Sequence, residues 1–195
     1  MSTAEVLSHS MNLPDTTPQQ WAETHFREVF LQHYSRIVAV LIRLLGDRTQ
    51  AEELASDTLW KLYHAPALQA DGNLGGWLYR TATNLGIDRI RAASRRQKYE
   101  EAAGQDMHRA GNPVGSPLEE VLREEQRIRV RGVLASIKPQ QAQLLLLRAT
   151  GFSYNELADA LEVKPAGIGT MLTRAEEEFR KRYLELYGQQ KEGTL

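Results

Sequence analysis

Gly151-Phe-Ser-Tyr-Asn-Glu-Leu-Ala-Asp-Ala-Leu-Glu-Val-Lys-Pro165 is the stretch that decides the fold class. Ser153 followed three residues later by Glu156 is a capping box, in which each side chain satisfies the other's free backbone donor, so a helix begins there. It is short. A turn at Glu162 to Lys164 separates it from a second helix opening on Pro165, whose missing N–H costs nothing at a first helical position. Two helices joined this way form a helix-turn-helix, and Leu157, Ala158, Leu161, Val163, Ile168 and Leu172 supply the apolar contacts the geometry needs. By pattern alone the segment reads either as a DNA-binding unit or as a plain helical hairpin.

The same capping signature recurs at Thr17/Gln20, Thr49/Glu52 and Ser116/Glu119. After the first, apolar residues from Phe26 to Leu45 recur at steps of three and four until Gly46, which predicts one long amphipathic helix. The second helix is expected over Thr49 to His64, before Pro66. A third starts near Asn73 with Leu74, Trp77, Leu78 and Thr81, and Asn84 to Gly86 predict a short break before a basic continuation over Asp88 to Gln97. Lys98 to Ser116 carries Gly104, Gly111, Asn112, Pro113 and Gly115 with almost no apolar periodicity, the composition of a linker. Helix signals return over Pro117 to Ser136, Pro139 to Thr150, Ser153 to Leu161 and Pro165 to Tyr187. Alternating strand patterns are absent from the sequence. The expected fold is all-α: two small helical domains, 20–97 and 117–187, joined by a flexible linker at 98–116, with an N-terminal arm at 1–19 and a polar tail at 188–195.

The 195 residues carry 24 Lys and Arg against 25 Asp and Glu, a net charge of -1. Such a balance gives no global pull toward nucleic acid. Locally the charge is segregated. Arg80 to Lys98 holds six bases against Asp88, while Tyr99 to Glu125 holds seven acids against Arg109 and Arg123. A linker of that sign is able to fold back on the basic helix when no polyanion is bound. The absence of cysteine excludes disulfides, thiolate catalysis and cysteine-ligated zinc. The five histidines include no i, i+4 metal pair, and neither a Ser/His/Asp order nor a glycine-rich phosphate loop occurs. No enzyme, metal site or cofactor is expected. Met1 to Leu13 has neither a basic start nor a continuous apolar run, so a soluble cytoplasmic chain without membrane insertion is expected.

Two further constellations point to binding. Trp77-Leu-Tyr-Arg-Thr-Ala-Thr-Asn-Leu-Gly-Ile-Asp-Arg-Ile-Arg91, followed by Arg95 and Arg96, interleaves aromatics with bases. Such side chains stack on unpaired bases while cations track the backbone, and a helix break there would expose backbone groups to a flipped base. The plainer reading is a core Trp77 beside a solvated basic face. On the second helix, Glu53, Asp57 and Trp60 lie at i, i+4 and i+7, opposite Leu54 and Leu62. Like charges one turn apart repel, and an exposed tryptophan invites cover, so a basic, partly apolar partner surface fits this face. The alternative is a solvated acidic face with Trp60 packed on a neighbouring helix.

The order Ala51-Glu-Glu-Leu54, Trp77-Leu-Tyr-Arg80 with Asn84 and Asp88, Gly151-Phe-Ser-Tyr-Asn-Glu-Leu-Ala158, then Arg174-Ala175 resembles the extracytoplasmic-function sigma factors of bacterial RNA polymerase. Similarity covers about Phe26 to Arg96 and Leu118 to Tyr183. The resemblance implies a sigma-2 and a sigma-4 domain and an alternative sigma factor whose partners are core RNA polymerase, promoter DNA and an anti-sigma factor. It implies that Glu52, Glu53, Ser56 and Asp57, with Trp60 beside them, dock on the coiled coil of the largest polymerase subunit. Trp77, Arg80, Asn84, Asp88, Arg89, Arg91, Arg95 and Arg96 would melt and read the minus-ten element. Lys164, Ala166, Gly167, Gly169, Thr170, Thr173 and Arg174 would face the minus-thirty-five duplex. Two departures stand out. Gln and Glu are usual in the family where Ser56 and Asp57 stand, and bases are common where Gly169 and Met171 stand. The rivals at this point are a sigma-like decoy whose second domain binds protein, and a stand-alone helix-turn-helix repressor.

Overall fold

The computed structural model describes residues 18–64, 73–102 and 117–188, and among these all regular structure is helical. The order is α1 (Pro18–Leu45), α2 (Arg48–Tyr63), α3 (Leu74–Ala102), α4 (Pro117–Ser136), α5 (Pro139–Ala149), α6 (Tyr154–Leu161) and α7 (Pro165–Tyr187). Helices α1 to α3 pack on one another, and α4 to α7 pack on one another and on α3; the two groups keep the names of the first and second expected domains. Most boundaries fall within a residue or two of the sequence expectation. Gly46 ends α1 at φ +74°, a left-handed conformation that only glycine adopts freely, and Gly151 does the same after α5 at φ +90°.

Three expectations are corrected. Helix α2 is capped by Asp47, whose side chain accepts from Gln50 N at 2.9 Å, and the Thr49/Glu52 box is not used. An aspartate two residues earlier offers the stronger cap. Helix α3 runs without interruption through Asn84 to Gly86. A Cβ on Gly86 would stand 2.6 Å from Leu44 Cδ2 and 3.0 Å from Leu41 Cδ2, so the glycine lets α1 approach α3. Glycine costs the helix about 1 kcal/mol relative to alanine. Closing α1 onto Leu78, Ile87 and Ile90, all buried, offsets this several times over at about 1.5 to 3 kcal/mol per buried large side chain. Finally, α3 continues to Ala102, so Lys98 to Ala102 is helix and not linker. Thr17 and Ser116, the capping residues of the other two boxes, and the linker beyond Ala102 lie outside the described residues.

The helix-turn-helix stands as read. Ser153 Oγ accepts from Glu156 N, and the Glu156 carboxylate accepts from Ser153 N at 2.8 Å. Leu157, Ala158, Leu161, Ile168 and Leu172 are buried and Val163 packs against them. Glu162 in the turn takes φ +55°, ψ +44°. For a residue with a Cβ this conformation costs about 1 to 2 kcal/mol.

The two domains pack directly on each other, with α3 in contact with α4, α5 and α6. Phe152, from the turn before α6, is fully buried, 4.6 Å from the Tyr79 ring of α3 and 3.9 Å from the Arg36 guanidinium of α1. Their cores therefore form one continuous cluster.

Candidate nucleic-acid interface

An unbroken α3 changes how its charged residues are arranged. Trp77, Arg80, Asn84, Asp88, Arg91 and Arg95 follow one another at steps of three and four, so they share one stripe along the helix. A break at Gly86 would have rotated the second half of that stripe away from the first. Leu78, Ala82, Ile87 and Ile90 are buried on the other side, against α1 and α2. Trp77 is half-buried and packs against the core, as the plainer reading had it; the rest of the stripe is the face that the first three helices do not need for their own core. The reading that a broken helix presents backbone groups to a flipped base is withdrawn.

Helix α2 presents the second expected face. Leu54, Ala55, Thr58, Leu59 and Leu62 are buried, which turns Glu53, Ser56, Asp57 and Trp60 outward. Trp60 is 62% exposed, and its ring lies against those of Tyr63 and His64, with centroids 6.0 Å and 4.2 Å away. Glu52 accepts from Arg48 Nε at 2.8 Å. The Ser56 hydroxyl donates back to the Glu52 carbonyl at 2.8 Å. Glu53 meets Arg89 Nη2 at 3.4 Å. That pair is exposed and contributes at most about 1 kcal/mol; it ties the acidic face of α2 to Arg89, which follows Asp88 in the helix and so lies off the stripe.

On α7 the residues expected at duplex DNA divide. Lys164, Ala166, Thr170, Thr173 and Arg174 are exposed, and Gly167 and Gly169 are half-buried. Lys164 makes no side-chain cap. Met171 packs partly into the core and does not belong to the outer face. A Cβ on Gly169 would lie 3.9 Å from Tyr154 Cε2, an ordinary contact, and one on Gly167 would meet nothing within 4 Å. Both glycines are open to substitution.

Contacts between the domains fall on this same interface, and the sequence reading missed them. The Gln143 amide of α5 donates to Asn84 Oδ1 at 2.7 Å, with Thr83 Oγ1 and the Arg80 carbonyl at 3.1 Å and 3.2 Å. Arg80 Nη1 pairs with Glu162 Oε1 at 2.5 Å. Arg91 donates through Nε to the Ala135 carbonyl at 3.2 Å and through Nη2 to the Ile137 carbonyl at 2.7 Å. Asn73, which caps α3 by accepting from Gly76 N, donates to the Asp159 carbonyl at 2.8 Å. Arg36 Nη1 meets Glu156 Oε1 at 2.6 Å. The hydrogen bond from Arg36, with those from Ser153, holds the Glu156 carboxyl down to about 2. Beside it, burial first and the Arg36 charge second lower the pKa of His33. One signal in the sequence pointed here: Gln143 is a polar residue among the apolar positions of α5, and such residues are buried only with a partner.

Among the described residues no group of His, Asp and Glu is placed to hold a metal ion, and no helix is long and apolar enough to cross a membrane. What the site offers is a row of hydrogen-bonding and cationic side chains on α3 and a separate acidic aromatic face on α2.

Residues 29–96 match the family model described as Sigma-70 region 2. The chain is 28% identical over 169 residues to the ECF RNA polymerase sigma factor SigE of Mycolicibacterium smegmatis, covering 85% of this chain and 64% of that protein. It therefore spans just under two thirds of that relative's length. It is 24% identical over 163 residues to the RNA polymerase sigma-H factor of Pseudomonas aeruginosa, covering 80% of this chain and 84% of that one. Among solved structures it is similar to the sigma factor RpoE of Bartonella quintana, crystallised with the anti-sigma factor NepR. That likeness has 22% identity and a TM-score of 0.47, over 83% of this chain and 98% of that one.

Proposed function

We propose that this chain is an extracytoplasmic-function sigma factor of the sigma-70 family, which binds core RNA polymerase in the cytoplasm and directs it to a subset of promoters, by binding and not by catalysis. The observation that carries the proposal is the arrangement of three faces in one chain. An exposed Glu53, Asp57 and Trp60 face on α2 is tied to α3 through Arg89, α3 carries the basic stripe on another side, and a helix-turn-helix follows in the second domain. Residues 20–97, extended to the observed end of α3 at Ala102, serve polymerase docking and the minus-ten element. Residues 117–187 serve the minus-thirty-five element. An anti-sigma factor is the further partner. A cleft of about 1660 Å³ between α1, α4, α5 and α7, lined by Arg43, Arg148 and Arg180 together with the apolar Val130, Leu134 and Phe179, supports a partner segment of mixed acidic and apolar character, Arg127 and Arg131 there being paired with Glu124. Pull-down with core RNA polymerase tests the reading. Retention of the polymerase is expected, whereas a stand-alone repressor would bind duplex DNA and leave core polymerase in solution.

Within that function Asn84 reads a base and the arginines hold the backbone. Asn84→Ala should relax preference at a single promoter position, because one base contact contributes about 1 to 3 kcal/mol of discrimination. Arg95→Ala should weaken binding across sequences, as loss of a phosphate contact does. Selection from a randomised promoter library reads both effects, and base preferences untouched by Asn84→Ala would refute the assignment. Arg91 is less informative alone, since its guanidinium also bonds the Ala135 and Ile137 carbonyls.

The recognition helix is short of cations. Gly169→Arg has room for its side chain and removes a helix penalty of about 0.8 to 1 kcal/mol. The variant should bind duplex DNA more tightly, with a slope of log affinity against log salt steeper by up to about 0.9. Titrations at several salt concentrations decide; unchanged affinity and slope in the folded variant would take α7 off the DNA.

A further inference from the structure

We propose that this chain self-associates head to tail, the acidic aromatic face of α2 in one copy docking in the arginine-lined cleft between α1, α4, α5 and α7 of the next. That cleft, of about 1660 Å³, has six arginines in its lining and a single acid, Glu176. Arg127 and Arg131 pair with Glu124, and Arg148 donates to the Phe152 carbonyl at 3.1 Å. Arg43 and Arg180 are exposed and meet no carboxylate among the described residues. Their charge is left for a partner. The same cleft is lined by Val130, 40% exposed, with Leu134 and Phe179. A polyanion would satisfy the arginines and leave this apolar lining uncovered. What fits is a short ridge carrying carboxylates and a large apolar side chain together.

Such a ridge stands on α2 of the same chain. Glu53, Asp57 and Trp60 share its outward side, and Tyr63, also exposed, lies beside Trp60. Asp57 makes no ion pair among the described residues, and Glu53 makes only the exposed 3.4 Å contact with Arg89. Carboxylates brought to guanidinium groups form the stronger, charge-assisted hydrogen bonds, and a docked tryptophan buries about 150 to 250 Å². Ridge and cleft cannot meet within one copy. The buried side of α2 holds it on α1 and α3, which turns the ridge away from α1, whereas Ala39, Ile42 and Arg43 of α1 form one wall of the cleft. The contact is therefore between copies. Because two different faces meet, it is heterologous, and it adds further copies unless its rotation closes a ring. Association would also withhold the α2 face from core RNA polymerase; that consequence rests on the docking reading, and the association itself does not.

Sedimentation velocity of the full chain at rising concentration tests this. The weight-average mass should climb above that of one 22.1 kDa chain and fall back toward it in about 1 M salt, where charges are screened beyond about 3 Å. Two variants divide the contact: Glu53→Ala, Asp57→Ala, Trp60→Ala loses the ridge and keeps the cleft, while Arg43→Ala, Arg180→Ala does the reverse. All five positions are exposed, so the circular dichroism of both should match the parent. Each variant alone should associate at least about tenfold more weakly than the parent. Mixed in equal amounts, they retain one intact ridge and one intact cleft between them, and should form a one-to-one complex that grows no further. A parent chain that stays monomeric at every concentration would give the cleft to another partner and overturn the proposal. Association that either variant leaves intact, or a mixture that stays monomeric, would overturn it equally. Pull-down with core RNA polymerase separates this from the docking reading. A monomeric parent that retains polymerase rejects the association alone, while an associating parent and a monomeric Arg43→Ala, Arg180→Ala chain that both fail to retain it reject the docking reading alone.

Discussion

The Glu53→Lys, Asp57→Lys chain is expected to lose core RNA polymerase in a pull-down while its helical circular dichroism stays unchanged. Both carboxylates stand on the outward face of α2, one turn apart, and the buried face of that helix is complete without them. Reversing Glu53 sets a lysine against Arg89, but the pair it replaces is exposed and spans 3.4 Å, so the cost to folding is at most about 1 kcal/mol. At an interface the same reversals place like charges opposite a basic partner, which costs several kcal/mol. At 1.4 kcal/mol per tenfold the affinity falls by more than about a hundredfold. Trp60→Ala should act in the same direction through lost apolar contact, by about 2 kcal/mol or more if it anchors the interface centre. Binding retained by the doubly reversed chain would place the docking surface elsewhere.

Phe152→Ala should be the most damaging single core substitution tested. The ring is fully buried, packs edge-on against Tyr79 and lies under the Arg36 guanidinium, so its removal leaves a cavity at the junction of both domains. Large-to-small changes of this kind cost about 3 to 5 kcal/mol. In a chain of this size that lowers the melting temperature by roughly 2 to 4 °C per kcal/mol. Urea unfolding followed by circular dichroism reads the loss. Phe152→Leu, which keeps most of the volume, should lose less than half as much. A loss under about 1 kcal/mol for Phe152→Ala would mean that the ring is not held between the domains.

Much of this was legible in the sequence because local signals and tertiary packing agree. Ser153 and Glu156 specify the start of α6 by geometry that needs nothing beyond the next turn, and the apolar period of α1 is too long and regular to be anything but helix. Where tertiary contact outweighs local preference, the sequence misled. Asn84 and Gly86 lower helix propensity, yet Leu41 and Leu44 of α1, more than forty residues earlier, make the glycine favourable. Trp60 was legible only as an ambiguity, resolved once Leu54 and Leu62 were seen to bury the opposite face. The domain junction was hidden for a different reason. Gln143, Glu162 and Arg36 carry no periodicity or spacing that names their partners, which lie 59, 82 and 120 residues away. Glu156 was read correctly as a cap, but the oxygen it turns to Arg36 is invisible to any local rule.

Transcription from a defined template by core polymerase and this chain alone measures the central claim most directly. Core RNA polymerase is mixed with the purified protein and a library of promoter-length duplexes, and discrete starts are mapped. The account predicts no specific starts from core polymerase alone, and starts from a restricted promoter subset once the chain is added. It further predicts that these starts disappear with Glu53→Lys, Asp57→Lys and shift in base preference with Asn84→Ala. A chain that captures core polymerase yet yields no specific start from any template would contradict it.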